Sequence, residues 1–186
     1  MKSWPIGKVH SNFHSLEDVR KNQEIDHKTS VWIFKRMLSL LGWVHHLGII
    51  HGSVLPCHVL VYPDNDGEAH SDPKQHTVRL IDWCYSVNKS RTKLSAWLPE
   101  YESFYAPEVL DKKVSPSVDL YMTARMIKSL TVADFPEPLE KVLSRCLDKD
   151  PTKRYLNSSE VFDAWERAAF ESYGAPKWHD FIMKGI

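Results

Sequence analysis

The sequence predicts a mainly α-helical domain with a small β component, an α+β arrangement built around one hairpin. Two observations carry that expectation. Apolar residues recur at helical spacing over residues 30–46, 116–130, 138–147 and 158–170. Two short β-rich runs, residues 59–61 and 78–81, flank a stretch dense in turn formers. A chain of 186 residues is one domain by size, long enough to bury about 70% of its unfolded surface.

Charge and cysteine content exclude several classes. The 24 basic and 24 acidic side chains cancel, so no net field favours nucleic acid or an anionic membrane. Cys57, Cys84 and Cys146 are scattered and form no paired framework, which suits a reducing compartment. No apolar run is fit for a signal peptide or a bilayer span. A cytoplasmic protein is expected.

Residues 1–14, with Pro5 and Gly7, read as an irregular lead-in, and one domain is expected over 15–186. Ser15, with Asp18 three residues on, resembles a capping box that starts a short helix. The best-supported helix runs from Thr29 or Ser30 to His46. Val31, Phe34, Leu38, Leu41 and His45 lie on one face and Ile33, Met37, Leu40 and Val44 beside it, so it should pack on two sides. Gly48 should stop it. Trp32 and Trp43 lie on its less apolar side and are candidates to face a partner. The hairpin loop holds Asp64, Asn65, Asp66 and Glu68, but not at the ligand spacing of an EF-hand, and reads as a solvated turn.

Ser115 and Pro116 read as N-cap and first residue of a helix reaching about Leu130, apolar nearly all round and therefore central. Another helix is expected over residues 138–147. Asn157 and Glu160 cap a last one that Gly174 ends, and Trp178, Phe181, Ile182 and Met183 should fold back as a tail.

Five motifs, in order, resemble those of eukaryotic-type protein kinases. Residues 51–60, H-G-S-V-L-P-C-H-V-L, are similar to the catalytic loop H-R-D-L-K-P-x-N-I-L. Asp82-Trp83-Cys84 falls where D-F-G lies, and Ala106-Pro107-Glu108 matches A-P-E. Asp119 resembles the acid opening the family's central helix. Residues 146–154 resemble C-x-x-x-D-P-x-x-R, ending at Arg154. The resemblance spans residues 15–170 and implies the large C-terminal lobe of that fold, with the hairpin carrying the loop. It further implies a buried Glu108–Arg154 ion pair, an inward His51, and an Asp119 that fixes the backbone of the His51 loop.

The departures bear on function. The positions of the loop Asp, Lys and Asn hold Ser53, Leu55 and His58, and Gly52 replaces Arg. Serine at its ordinary pKa is no base near neutrality, and leucine offers a phosphate no charge. The glycine-rich loop, the strand lysine and the helix glutamate of the small lobe are absent, and the family helix expected after Leu130 is missing. No catalytic residues are expected from this degenerate loop. A non-catalytic, pseudokinase-like binding or regulatory module is the leading expectation, without cofactor. The alternative is a phosphotransferase using ATP and magnesium with a small lobe from another chain.

Asp82 could hold a cation with His58 as co-ligand, although an acid satisfied by nearby backbone N–H groups is the simpler expectation. His45, His46, His51, Cys57 and His58 could form a zinc site, but no paired ligand spacing appears. A Ser53–His58–Asp82 triad lacks the strand–elbow–helix context of such nucleophiles. Ser90 and Thr92 beside Lys89, Arg91 and Lys93 are candidate phosphoacceptors, a pattern also common on solvated faces. The apolar character of Leu55, Trp83, Cys84 and Tyr85, where the family has charge or glycine, points to a surface for a protein partner or a second copy.

Overall fold

A computed structural model describes residues 13–62, 77–88, 93–94, 96–110 and 114–177. The hairpin loop, Ser90 and Thr92, residues 1–12 and the tail beyond 177 lie outside the described residues, as do the expectations placed on them.

The described residues are mainly helical with two small antiparallel sheets. Strand β1 (His14–Ser15) runs into helix α1 (Leu16–Asn22), so the end of the supposed lead-in is a strand. The Ser15 hydroxyl accepts the Asp18 N–H at 3.0 Å and donates to the Asp18 carboxylate at 2.6 Å, closing the first turn. Helix α2 (His27–His46) starts two or three residues before the expected Thr29 or Ser30. Asp26 is the reason: its carboxylate accepts the Lys28 and Thr29 N–H groups at 2.9 and 3.1 Å. Gly48, at φ 79°, donates to the His45 carbonyl and ends the helix where a side chain would be strained.

Strand β2 (Ile49–Ile50) leads through the polar loop to β3 (Val59–Tyr62), which pairs with β4 (Thr77–Leu80) in the register Val59–Leu80 and Val61–Val78. β1 adds to the other edge of β3. β2 pairs with β5 (Val87–Asn88), a contact no local pattern announces because both strands have two residues.

Helices α3 (Pro107–Leu110), α4 (Pro116–Lys128), α5 (Glu137–Cys146) and α6 (Ser158–Tyr173) follow, with short 3₁₀ turns between elements. α4 ends two residues before the expected Leu130. Ser115 precedes it without capping through its side chain, the hydroxyl meeting Ser117 Oγ instead. On α4, Val118, Leu120, Met122, Ala124, Met126 and Ile127 are all buried. It packs against α2 and α5, while α6 lies across both of those. Leu130 to Pro136, where the kinase family has a further helix, is a short connection. It is held by Ile25 N–H to the Leu130 carbonyl (3.2 Å) and by the His27 ring stacked on Phe135 at 4.6 Å. The buried side chains form one continuous core, with Trp165 set edge-on against Phe34 at 4.7 Å and its indole N–H on the Val31 carbonyl. Trp43 is exposed, whereas Trp32 is half-buried against this core.

Candidate functional site

The loop 51–58 is held by α4 from below. The Asp119 carboxylate, fully buried, accepts the His51 N–H at 2.9 Å and the Gly52 N–H at 2.7 Å. It also takes the His45 Nε2–H at 2.8 Å. One side chain therefore fixes the exit of α2 and the start of the loop. His45, which belongs to the apolar face of α2, is this third donor. Its position on the buried face of α2 was the available signal.

His51 is inward and fully buried. Its Nε2–H donates to the Ile81 carbonyl at 3.0 Å and its Nδ1 accepts the Ser53 N–H at 3.3 Å, which defines a neutral tautomer. Burial pushes its pKa below the ordinary value, outweighing the Asp119 carboxylate and the Ile81 carbonyl.

Gly52 sits at φ 75°, and a methyl group there would collide with Leu94 Cδ2. Gly52→Ala is expected to destabilise by about 1–2 kcal/mol from backbone strain alone. Chemical denaturation checks this, and a neutral substitution would show that both the backbone and Leu94 relax freely.

Ser53 is buried and its hydroxyl meets the Tyr105 hydroxyl at 3.1 Å. Tyr105 in turn accepts the Leu98 N–H at 3.2 Å. Its role was not legible beforehand, since a tyrosine preceding Ala106 has no spacing that relates it to Ser53. His58 Nδ1 points to the Ser53 carbonyl (2.8 Å), not to the Ser53 hydroxyl, so Ser53, His58 and Asp82 do not form a nucleophile and base.

Leu55 requires a correction. It is 0% exposed and belongs to the core, so it is not part of an exposed face. Its backbone is extended just before the 3₁₀ turn Pro56–His58, and the side chain joins the apolar cluster with Val54 and Val59. An aliphatic side chain gains free energy inside, where a charge would turn outward. Trp83, at 38% exposure, Cys84 and the half-buried Tyr85 do reach the surface. Trp83 stands edge-on to His51 at 4.7 Å, and Tyr85 lies over His58 at 6.0 Å.

Asp82 is also corrected. Among the described residues its carboxylate is engaged by side chains, His58 Nε2 at 3.1 Å on one oxygen and the Cys84 thiol at 2.7 Å on the other, where backbone N–H groups are the simpler expectation. The carboxylate keeps Cys84 protonated by raising its pKa. Among the described residues no group of three His, Cys, Asp or Glu is placed to hold a metal ion. For His58, burial would favour the neutral ring. The Cys57 thiol, the Ser53 carbonyl and the Asp82 carboxylate outweigh it and raise the pKa.

The two rings act oppositely with pH. His58, with its folded pKa raised, contributes stability that is fully present below the unfolded histidine pKa and is lost as pH rises through the folded one. His51, with its pKa lowered, loses stability as pH falls toward its folded value. Unfolding free energies of wild type and His58→Gln should therefore converge above the folded pKa and draw apart as pH falls through it, the gap reaching its full size by about pH 6.5. A constant offset at all pH values would refute this.

Ala106 and Pro107 lead into α3, whose Glu108 meets Arg154 in a bidentate pair at 2.6 and 2.8 Å. Arg154, 2% exposed, also donates to the Asp148 carbonyl at 2.8 Å and lies over the Tyr121 ring.

No protein-family model matches the chain. Among curated proteins it is similar to the probable serine/threonine-protein kinase zyg-1 of Caenorhabditis elegans, with 23% identity over 120 residues. The match covers 64% of this chain and 16% of that protein's length. It supports a distant kinase-like relationship.

Proposed function

We propose that the chain is a catalytically inactive, protein-kinase-like module, corresponding to the large lobe of that fold, that works by binding protein. It forms a single domain, acts in the cytoplasm and needs no nucleotide. The observation that carries this reading is the internal use of the degenerate loop. Ser53 is bonded to Tyr105, Leu55 is sunk in the core, and His58 is engaged with Asp82. Phosphoryl transfer rests on positioned charge, and here the loop's polar groups are spent on holding the fold. The distant relation to a probable serine/threonine kinase supports the lineage and leaves a second reading, a phosphotransferase completed by a separate small lobe. The surface for a partner or a second copy is the turn Trp83, Cys84 and Tyr85.

Incubation with radiolabelled ATP, magnesium or manganese and generic protein substrates is expected to give no more signal than Asp82→Asn. Calorimetry should detect no micromolar ATP binding. Signal abolished by Asp82→Asn would establish the second reading. In light scattering and pull-down, Trp83→Ala should lose associations that wild type makes. A folded variant retaining all of them would remove this turn as the interface.

A further inference from the structure

We propose that His58 and Asp82 form a proton-dependent latch that clamps the turn Asp82–Tyr85 onto the loop 51–58. The inference starts from hydrogen-bond valence. His58 is 6% exposed, and its two ring nitrogens face the Ser53 carbonyl at 2.8 Å and the Asp82 carboxylate at 3.1 Å. Both partners can only accept. A neutral imidazole has one N–H and satisfies one of them; the imidazolium satisfies both. The clamped arrangement is that of the protonated ring.

Asp82 supplies the second observation. At φ 61° and ψ 63° it is the one non-glycine among the described residues with a positive φ. That conformation is uncommon for residues other than glycine, although aspartate and asparagine adopt it more readily than most, and local contacts hold it here. His58 holds one carboxylate oxygen, and the Cys84 thiol holds the other. When His58 loses its proton, one ring nitrogen is left with a lone pair against an acceptor, either the Asp82 carboxylate or the Ser53 carbonyl, so one end of the bridge between the turn and the loop turns from attractive to repulsive.

The surrounding titratable groups leave the proton to His58. His51, with ring centroids 6.4 Å away, stays neutral because both its nitrogens are committed to backbone groups and burial lowers its pKa. Asp119 lies behind His51 and is saturated by three donors. The Cys57 thiol adjoins His58 and favours its charged form, and Tyr85 covers the ring. The Tyr101 hydroxyl, on Cys57, and the Tyr105 hydroxyl, on Ser53, both stay protonated through the neutral range, their pKa values raised by burial. The proton therefore controls a turn that carries Trp83 onto His51 and leads directly into β5. This device does not depend on what the Trp83 surface binds.

Amide hydrogen exchange of residues 83–88, corrected for intrinsic rates, tests it at about pH 5.5 and about pH 8.5, on either side of the ordinary histidine range. Wild type should be more protected on the acid side. His58→Gln and Asp82→Asn should both lose that difference; asparagine tolerates the left-handed conformation, so Asp82→Asn keeps the turn. Nitrogen NMR of His58 near pH 6 should find both ring nitrogens protonated. Equal protection at the two pH values in wild type, a pH dependence surviving in Asp82→Asn, or a singly protonated His58 near pH 6 would each overturn the latch. The NMR and Asp82→Asn arms decide the matter even if His58→Gln does not fold.

Discussion

Asp119→Ala should remove at least about 3 kcal/mol of stability, since it leaves three buried donors without an acceptor at about 1–3 kcal/mol each. The donors are the backbone N–H groups of His51 and Gly52 and the His45 Nε2–H, at 2.9, 2.7 and 2.8 Å. All three donors belong to buried residues, His51 at 0% and His45 at 7% exposure, so they do not already face bulk water. Against a total stability of about 5–15 kcal/mol for an ordinary domain, this is a large fraction. Asp119→Asn should cost less, since its amide oxygen still accepts, although its NH₂ must then face a donor. Urea denaturation followed by circular dichroism gives the order wild type, Asn, Ala. A loss below about 1 kcal/mol for Ala would show that the His51 loop is held by its packing alone.

The Glu108–Arg154 pair should give the second large effect. Arg154→Met leaves the Glu108 carboxylate, 11% exposed as a side chain, without its partner, and Glu108→Gln leaves a fully buried guanidinium without a counter-charge. Each single change should cost about 3–5 kcal/mol. The arginine also supports the Asp148 and Ser117 carbonyls and lies 4.7 Å from the centre of the Tyr121 ring. Its loss should therefore be the worse of the two. The double variant Glu108→Leu/Arg154→Met should be much less destabilised than the sum of its singles, because no charge is stranded in it. Additivity in that cycle would mean that the two side chains act independently despite their contact.

The helices were legible from residues close together in the chain. Ser15 with Asp18 and Asn157 with Glu160 cap helices three residues away, and the double apolar face of α2 is buried on both sides. The pairing of β3 with β4 follows from two β-rich runs beside a turn-rich loop. Even at this range Asp26 outcompeted the expected start at Thr29 or Ser30, because it caps two N–H groups at once.

The site was decided at longer range. His45 meets Asp119 across 74 positions, Ser53 meets Tyr105 across 52, and the Trp83 indole rests on His51. Leu55, in an exposed-looking polar loop, turned into the core once the hairpin and α1 closed around it, and Asp82 found a histidine and a thiol where backbone donors were expected. Sequence by itself determined the elements whose free energy comes from neighbours within about one helical turn or one strand pair. Only the tertiary structure decided the partners of the buried polar groups. A polar side chain enclosed by packing must take whichever donor or acceptor the closed loops bring within about 3 Å, and that choice leaves no periodic trace in the chain.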